Sequence, residues 1–416
     1  MQCLEILFLA DDCLVVKKYQ GGLRMSQKLF LVSAVRTPIT VFGGSMRTVK
    51  PLDLAQLVIL NAISRADLQK DQVDQVIMGN CLAPLEQNVA RVASLLAGLP
   101  YEVPGYTINC ACSSAMQATI LGAMTILQGM AGVIVAGGVE SMSNAPYILD
   151  SARWGQRLRH METTDLLWKA MQEYPVGGGM GIAAERLAEK YDLSRHDQDE
   201  LAAYSHERAV RAIDEDRFAR EIVPVEVPQG KKPSKVIGAD ENPRRDISIE
   251  KLAKLKPAFQ KGGSVTAGNA SSLNDGAAAL VLASEDKVKE LGLKPLAEIK
   301  AFSTKAVDPH YVGIASVPAI NDVLDRTGLV LGDVDLFEVN EAFASYYLAC
   351  EKELGLDREK TNVNGSGISL GHPVGCTGAR LIVTLYYELE RQGLQLGIAG
   401  LCAGGGVGTA VMLERC

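Results

Sequence analysis

A layered α/β fold carrying an inserted lobe is what this sequence predicts, and three observations predict it. Strand-like and helix-like segments alternate on both sides of a charged middle stretch, the rhythm of β-α-β units. Glycine is abundant, at 40 residues, while aromatics make up only 5%, which suits tightly packed layers joined by short turns. Both flanking units also end in a glycine-rich, small-residue strand. With 416 residues, 47% of them apolar, the chain is long enough for two or more cores of ordinary soluble composition.

The elements follow in order. Residues 1–24 read as an extension. Their apolar run, 4–10, is followed by Asp11-Asp12 and has no basic stretch before it, so a signal peptide is not expected. A strand is predicted at 28–35, a helix at 53–68 and a strand at 75–78. Residues 111–139 carry no charge and are long enough to cross a membrane. Gly129, Gly132, Gly137 and Gly138 interrupt them, however, and Gln117 and Gln128 lie inside. A buried helix over 113–128 feeding a buried strand at 132–136 is the reading adopted.

Between 143 and 267 the charge rises. Amphipathic helices are predicted at 180–191 and 195–214, and Pro224, Pro228, Pro233 and Pro243 mark connections. This stretch is the inserted lobe. The α/β pattern resumes at 274–282. A strand at 297–302, a helix at 317–327, a strand at 335–338, helices from Asn340 and from 377, and strands at 397–401 and 407–413 complete it. The expected division is an extension, 1–24, a first half, 25–293, holding the insertion, and a second half, 294–416. An internal duplication is plausible on this pattern.

Net charge is −7, which argues against nucleic acid as the main partner and asks any anionic ligand to find a local basic patch. The nine cysteines (3, 13, 81, 110, 112, 350, 376, 402 and 416) are odd in number and irregular in spacing. Cys110 and Cys112 are too close for a Cys-x-x-Cys metal pair. A reducing, cytoplasmic setting is expected, and the terminal Glu414-Arg415-Cys416 is no peroxisomal tripeptide.

Three short stretches place a reactive side chain on tight backbone: Asn109-Cys110-Ala111-Cys112-Ser113-Ser114, Gly371-His372-Pro373, and Cys402-Ala403-Gly404-Gly405-Gly406. Cys112 stands where a strand should meet a helix, with Ser113-Ser114 to cap it. Amides and dipole at a helix start lower a thiol's pKa and can receive an oxyanion. The bland alternative is a small buried hydrophobe. His372, one of five histidines, sits between glycine and proline and would suit a base, or else a core histidine held by a carbonyl. The glycines after Cys402 make either an amide nest or a plain turn. Asn340-Glu341 reads as a helix cap or a polar pair in a site, and Thr266-Ala267-Gly268-Asn269-Ala270-Ser271 as a turn or a ligand loop.

Taken together, and with Gly137-Gly138-Val139-Glu140-Ser141-Met142, these motifs resemble the thiolase family over residues 25–416. The resemblance implies two similar βαβ-type halves stacked in a five-layered αβαβα arrangement with an inserted loop domain. It implies that Cys112 becomes acylated, that His372 activates it and that Cys402 moves the proton at the α-carbon of acetyl-CoA. Asn340 would hold a water that forms one oxyanion hole with His372; the amides of Cys112 and Gly404 would form the other. Arg244, with Arg245 and Lys251 as helpers, Ala267, Ser271, Met180 and Phe343 would meet CoA or substrate. Acetyl-CoA, 3-ketoacyl-CoA and CoA would be the ligands, with no metal or other cofactor, no nucleic acid and no membrane. A homodimer or homotetramer is expected.

Departures from the family pattern fall around the acyl group. Gly179 stands before Met180-Gly181 where short-chain members often carry His, Val312-Gly313-Ile314-Ala315-Ser316 replaces a Met-Gly-x-Gly-Pro stretch, and Ala115 ends the nucleophile turn in place of glycine. They lean toward a degradative or broad-chain enzyme. Ketoacyl synthases, with Cys-His-His, and hydroxymethylglutaryl-CoA synthases, with Glu, Cys and His, are rivals that Cys402 speaks against. An inactive CoA-binding scaffold subunit is the reading from another class.

Overall fold

The computed structural model describes residues 28–155, 157–158 and 160–416; the 1–24 extension lies outside the described residues. Nine strands form the main path of one sheet: β1 Leu29–Arg36, β2 Gln75–Gly79, β3 Gly105–Ile108, β4 Val133–Ser141, β5 Asn274–Ser284, β6 Ala297–Ala306, β7 Leu336–Val339, β8 Leu396–Ala403 and β9 Val407–Arg415. Their order is β7-β8-β9-β6-β1-β5-β4-β2-β3, with the short strand Thr40–Val41 paired to β5.

The two halves of this path repeat one another. In the first, β5 runs antiparallel to β1 and β4, and β2 lies parallel to β4 and β3. In the second, β9 runs antiparallel to β6 and β8, and β7 lies parallel to β8 and makes a single parallel bridge to Thr361. The halves meet through two residue pairs of β1 and β6, Phe30–Glu298 and Leu31–Ala297.

Alternation along each strand decides the layers, because successive side chains face opposite sides. In β4, Val133 and Val135 join a cluster with Leu54 and Val58 of helix α1, Pro51–Arg65, and Ala90 and Ala93 of α2, Val89–Leu96. Ile134 and Ala136 face the other way. They pack with Met116 and Ile120 of α3, Ser114–Leu127, and with Leu381 and Leu385 of a later helix, Thr377–Gln392, beside Leu401, Val411 and Leu413 of the second half. A third cluster covers the far face of the second half, where Ile320 and Val323 meet Phe337, Val339 and Ile398. The layers are therefore helix, sheet, helix, sheet, helix, which is the arrangement the resemblance implies. Each fully buried Val, Leu or Ile contributes roughly 1.5–3 kcal/mol.

The uncharged stretch around Cys112 is explained by this stacking. Its helix α3 lies between two sheet faces, and strand β4 is buried at all nine positions. Among the described residues, no helix is long and apolar enough to cross a membrane.

The chain leaves the sheet after Ser141 and returns at Asn274. The excursion contains α4 Leu166–Gln172, α5 Met180–Lys190 and α6 Arg195–Asp214. Helix α6 opens on a capping box in which Ser194 accepts from the Asp197 N–H and Asp197 accepts from the Ser194 N–H. Helices α7 Ser316–Thr327 and α8 Ala344–Leu354 precede α9, Thr377–Gln392. The helix expected from Asn340 thus begins at Ala344. Residues 340–343 form the turn between β7 and α8, where the Asn340 N–H donates to the Gly400 carbonyl and the Ser271 N–H to that of Ala342.

Candidate active site

Cys112 follows an unusual turn. Ala111 has φ = 46°, a left-handed conformation rare for a residue with a Cβ, costing about 1–3 kcal/mol. Ser114 holds the turn closed: its hydroxyl accepts from the Cys110 N–H at 2.8 Å and donates to the Ala111 carbonyl at 2.6 Å. Ser113 is the residue before the helix, but its side chain makes no cap and instead accepts from the Thr409 hydroxyl at 3.1 Å.

His372 is carried on a loop whose glycine, Gly371, has φ = 107°; a Cβ there would lie 2.6 Å from the Asn274 side chain. That proximity has a use, since Asn274 Oδ1 accepts from the His372 backbone N–H at 2.8 Å. The imidazole Nδ1 lies 2.7 Å from Thr377 Oγ1, and the Thr377 hydroxyl donates to the Pro373 carbonyl at 3.0 Å. With the hydroxyl proton so committed, Thr377 can only accept from the ring, which puts the imidazole proton on Nδ1 and leaves Nε2 as the acceptor nitrogen.

Cys402 lies near the end of β8, just before the turn at Gly405 and Gly406, whose φ values are 86° and 82°. One channel brings the three reactive groups together: its lining includes Cys112, His372, Cys402 and Gly404, and also Met180, Ser271 and Phe343. Phe343 packs edge-on to Phe259 and tilted against Tyr346, and the Tyr346 hydroxyl donates to the Met180 carbonyl.

Asn340 is not on the channel surface. It is buried with Nδ2 3.5 Å from both ring nitrogens of His372, and its Oδ1 has no hydrogen-bond partner among the described protein groups. Arg244 and Ala267 are exposed and line no part of the channel. The Arg244 backbone N–H donates to His206 Nδ1. Arg245 pairs with Asp214 and Lys251 with Asp246, so both helper cations are already engaged on the surface.

The electrostatics correct one expectation. Burial pushes the Cys112 thiol up to about 11, and neighbouring Glu140 pushes the same way. The backbone N–H groups of Gly404 and Cys112 itself reach the sulfur and oppose this shift without overcoming it. Burial, with Arg380 nearby, holds His372 down at about 3, so the ring is neutral. Burial also raises the Cys402 thiol well above its usual range. At neutral pH the site holds two protonated thiols and a neutral base.

Thr377, Asn274 and Glu140 are the groups that sequence reasoning left without a role. Glu140 accepts from the N–H groups of Cys81, Leu82 and Gly375 and from Asn80 Nδ2, between 3.0 and 3.1 Å. It thereby ties the loop after His372 to the region behind Cys112. The only available signal was its place in the Gly-Gly-Val-Glu-Ser-Met run.

For Thr377, the expected result is specific. Thr377→Val should lower kcat by roughly 10–100-fold with little change in KM, part of the 10²–10⁴ a general base supplies. Thr377→Ser should restore most of it. Steady-state kinetics on the two variants checks this, and equal losses in both would remove the tautomer argument.

A half-buried thiol sharing a channel with a neutral imidazole, two backbone amides at the sulfur and a second protonated thiol define a class: enzymes that move acyl groups through a cysteine. Comparison with known proteins makes the class definite. Residues 29–286 match the thiolase N-terminal domain and residues 293–415 the thiolase C-terminal domain. The chain is 47% identical over 388 residues to an acetyl-CoA acetyltransferase of Escherichia coli, covering 92% of this chain and 98% of that one. It superposes on the crystal structure of the Bacillus anthracis acetyl-CoA acetyltransferase with TM-score 0.92 at 51% identity, covering 94% and 99% of the two chains. For human mitochondrial 3-ketoacyl-CoA thiolase in complex with CoA the TM-score is 0.90 at 40% identity, covering 94% and 98%. The chain belongs to the thiolase family.

Proposed function

We propose that this chain is an acetyl-CoA C-acyltransferase, cleaving 3-ketoacyl-CoA with CoA to give acetyl-CoA and a shortened acyl-CoA, and running the reverse condensation. The observation that carries this reading is the convergence of Cys112, His372 and Cys402 on one channel. An inactive scaffold would have no need of that convergence.

In thiolysis the Cys112 proton passes to His372 Nε2 as the sulfur attacks the 3-keto carbon. The oxyanion on that carbon is received by the amides of Cys112 and Gly404, which reach the sulfur. The His372 side and a water on Asn340, whose buried Oδ1 has no partner among the described protein groups, would hold the thioester oxygen on which the enolate charge develops. The C2–C3 bond then breaks, its electron pair becoming the enolate of acetyl-CoA. Cys402, protonated at neutral pH, supplies the proton to the α-carbon. CoA thiol, giving its proton to the Cys402 thiolate, attacks the acyl-Cys112 carbonyl, where the same amides of Cys112 and Gly404 receive the oxyanion. The C–S bond to Cys112 then breaks, and the sulfur recovers its proton from His372.

Ser271, Met180 and Phe343 on the channel wall would meet the pantetheine arm. Arg244 and Ala267, being exposed, could act only at the outer end of CoA. We place the enzyme in degradative fatty acid metabolism (β-oxidation), in the cytoplasm, as a homodimer or homotetramer. The halves are read as 25–293 and 294–416, with 143–267 as the loop domain, a division supported by the repeated strand order.

The test separates the two thiols. Mass spectrometry after mixing with acetoacetyl-CoA should find an acetyl group on Cys112. Cys402→Ala should still acquire it while losing exchange of the acetyl-CoA α-protons with solvent. Unchanged exchange, or acylation elsewhere, would overturn the assignment.

A further inference from the structure

The turn that carries the Gly404 amide is covered by one side chain. Gly404–Gly406 joins β8 to β9, and a Cβ at Gly404 would lie 3.1 Å from Tyr174 Cε2, 3.4 Å from its Cζ and 3.6 Å from its Cδ2. A Cβ at Gly405 would meet the Tyr174 hydroxyl at 3.0 Å. In both places the three nearest atoms beyond the adjoining residues belong to Tyr174. The segment bearing this ring is pinned on both sides. Before it, the Glu173 N–H donates to the Lys169 carbonyl at 3.0 Å, and Leu167 of α4 is buried. After it, Arg186 donates to the Gly177 carbonyl, and a Cβ at Gly177 would lie 2.6 Å from the Pro309 carbonyl oxygen. The same stretch supports the turn, since the Val307 N–H donates to the Gly406 carbonyl at 2.8 Å.

Water has a route to this turn. A cavity of about 720 Å³, walled in part by Tyr174, Gly404 and Gly405, reaches Cys112 and opens past exposed Asn109, Lys169 and Glu173. Amides that receive an oxyanion make the acyl-Cys112 carbonyl more electrophilic toward any nucleophile, water included. Hydrolysis would form a C–O bond to the acyl carbon and break its C–S bond, leaving a free acid and the Cys112 thiol. The thioester would be lost before transfer. Water greatly outnumbers CoA thiol in solution, so transfer to CoA requires that water be kept out locally.

We propose that Tyr174 is a positioning residue that shields the Gly404–Gly405 turn from water, so that acyl-Cys112 survives until CoA thiol arrives. This rests on the proposed thiolase reading and goes beyond it in naming what decides between transfer and hydrolysis. Tyr174 acts through Gly404, whose amide reaches the Cys112 sulfur, and has no need to touch substrate. The covering atoms at Gly404 are ring carbons, so phenylalanine would serve there too.

The experiment follows acetyl-Cys112 by itself. Enzyme is loaded with labelled acetyl-CoA, stripped of CoA by rapid gel filtration and followed by intact mass, with released acetate counted. Tyr174→Ala should shorten the lifetime of the acetyl group by at least roughly tenfold, with acetate as product, while its discharge by added CoA changes far less. Tyr174→Phe should restore most of the lifetime. Tyr174→Leu, read in the same way, replaces Tyr174→Ala if thermal melts show that the smaller residue unfolds the chain. An unchanged lifetime in the folded variant, or an equal change in hydrolysis and in discharge by CoA, overturns the shield and leaves the thiolase reading standing. Failure of wild-type Cys112 to take up the acetyl group overturns both.

Discussion

His372→Asn should lower kcat/KM for thiolysis by roughly 10³–10⁴ at pH 7, and its activity should then rise about tenfold per pH unit. The cause is the Cys112 thiol, which burial holds at about 11. At pH 7 only about one thiol in 10⁴ is ionised without help, because four pH units separate it from half-ionisation. His372 removes that penalty by taking the proton as sulfur attacks, and at about 3 it stays a neutral base throughout the working range. Neither Cys112 nor His372 should give wild type a slope between about pH 5 and 9. The neighbouring group that titrates there is Glu140, which burial raises to about 7, so any change should be shallow and centred on it. The variant must rely on pre-formed thiolate and inherits its slope. A pH series on both proteins checks this. A flat profile in the variant, or a loss under tenfold, would mean that the backbone amides of Gly404 and Cys112 activate the sulfur on their own.

That contrast also shows where sequence reasoning stopped. The position of Cys112 before a helix was legible from the small residues around it, but its pKa was not. A helix start acts locally, whereas burial between two sheets is imposed by partners such as Leu381 and Leu401, which lie nearly three hundred residues away. His372 and Cys402 were legible because glycine neighbours give a side chain little to pack against, which favours a chemical role over a structural one. Their convergence with Cys112 on one channel needed the fold.

Thr377 was missed because it sits five residues beyond His372, at the first turn of α9, where threonine is unremarkable in any sequence. Only the paired contacts to Nδ1 and to the Pro373 carbonyl give it meaning. Asn340 was read as a helix start because Asn-Glu before an apolar run is an ordinary cap. The real helix begins four residues later, since the Asn340 and Ser271 N–H groups are drawn to the Gly400 and Ala342 carbonyls, and residues 340–343 stay extended or turned. Arg244 is a different case: a matching motif position placed it near CoA, and the chain exposes it on the lobe, beside His206 and outside the channel.

The largest stability effect is expected at a residue that sequence reading treated as ordinary. Arg36 ends β1 and is 1% exposed, yet it carries a charge. Its guanidinium makes a two-pronged pair with Asp240, at 2.7 and 2.9 Å, and donates through Nε to Glu221 at 2.5 Å. These partners lie 204 and 185 positions along the chain, so no local pattern announces them. Asp240 also accepts from the Ile39 N–H, and Glu221 from the Thr384 hydroxyl of α9. The cluster thus fastens the returning lobe to the end of the central strand β1 and to the helix that begins just after His372.

Arg36→Met keeps the volume and removes the charge, leaving two carboxylates buried with no cation. Breaking a buried pair in this way costs about 3–5 kcal/mol. Burial already raises Glu221, and the Arg36 charge opposes that rise. Without Arg36 its folded pKa climbs further above the unfolded value. A carboxyl raised in this sense favours folding at low pH, and that contribution is lost as pH rises through the folded pKa. The deficit of the variant should therefore shrink as pH falls from 7 toward 5. Adding Glu221→Gln and Asp240→Asn should recover part of it and flatten the pH dependence. Urea unfolding across that range measures both. A deficit independent of pH would mean that Arg36 acts by packing against Phe218, whose ring lies 5.0 Å away, with its charge contributing little.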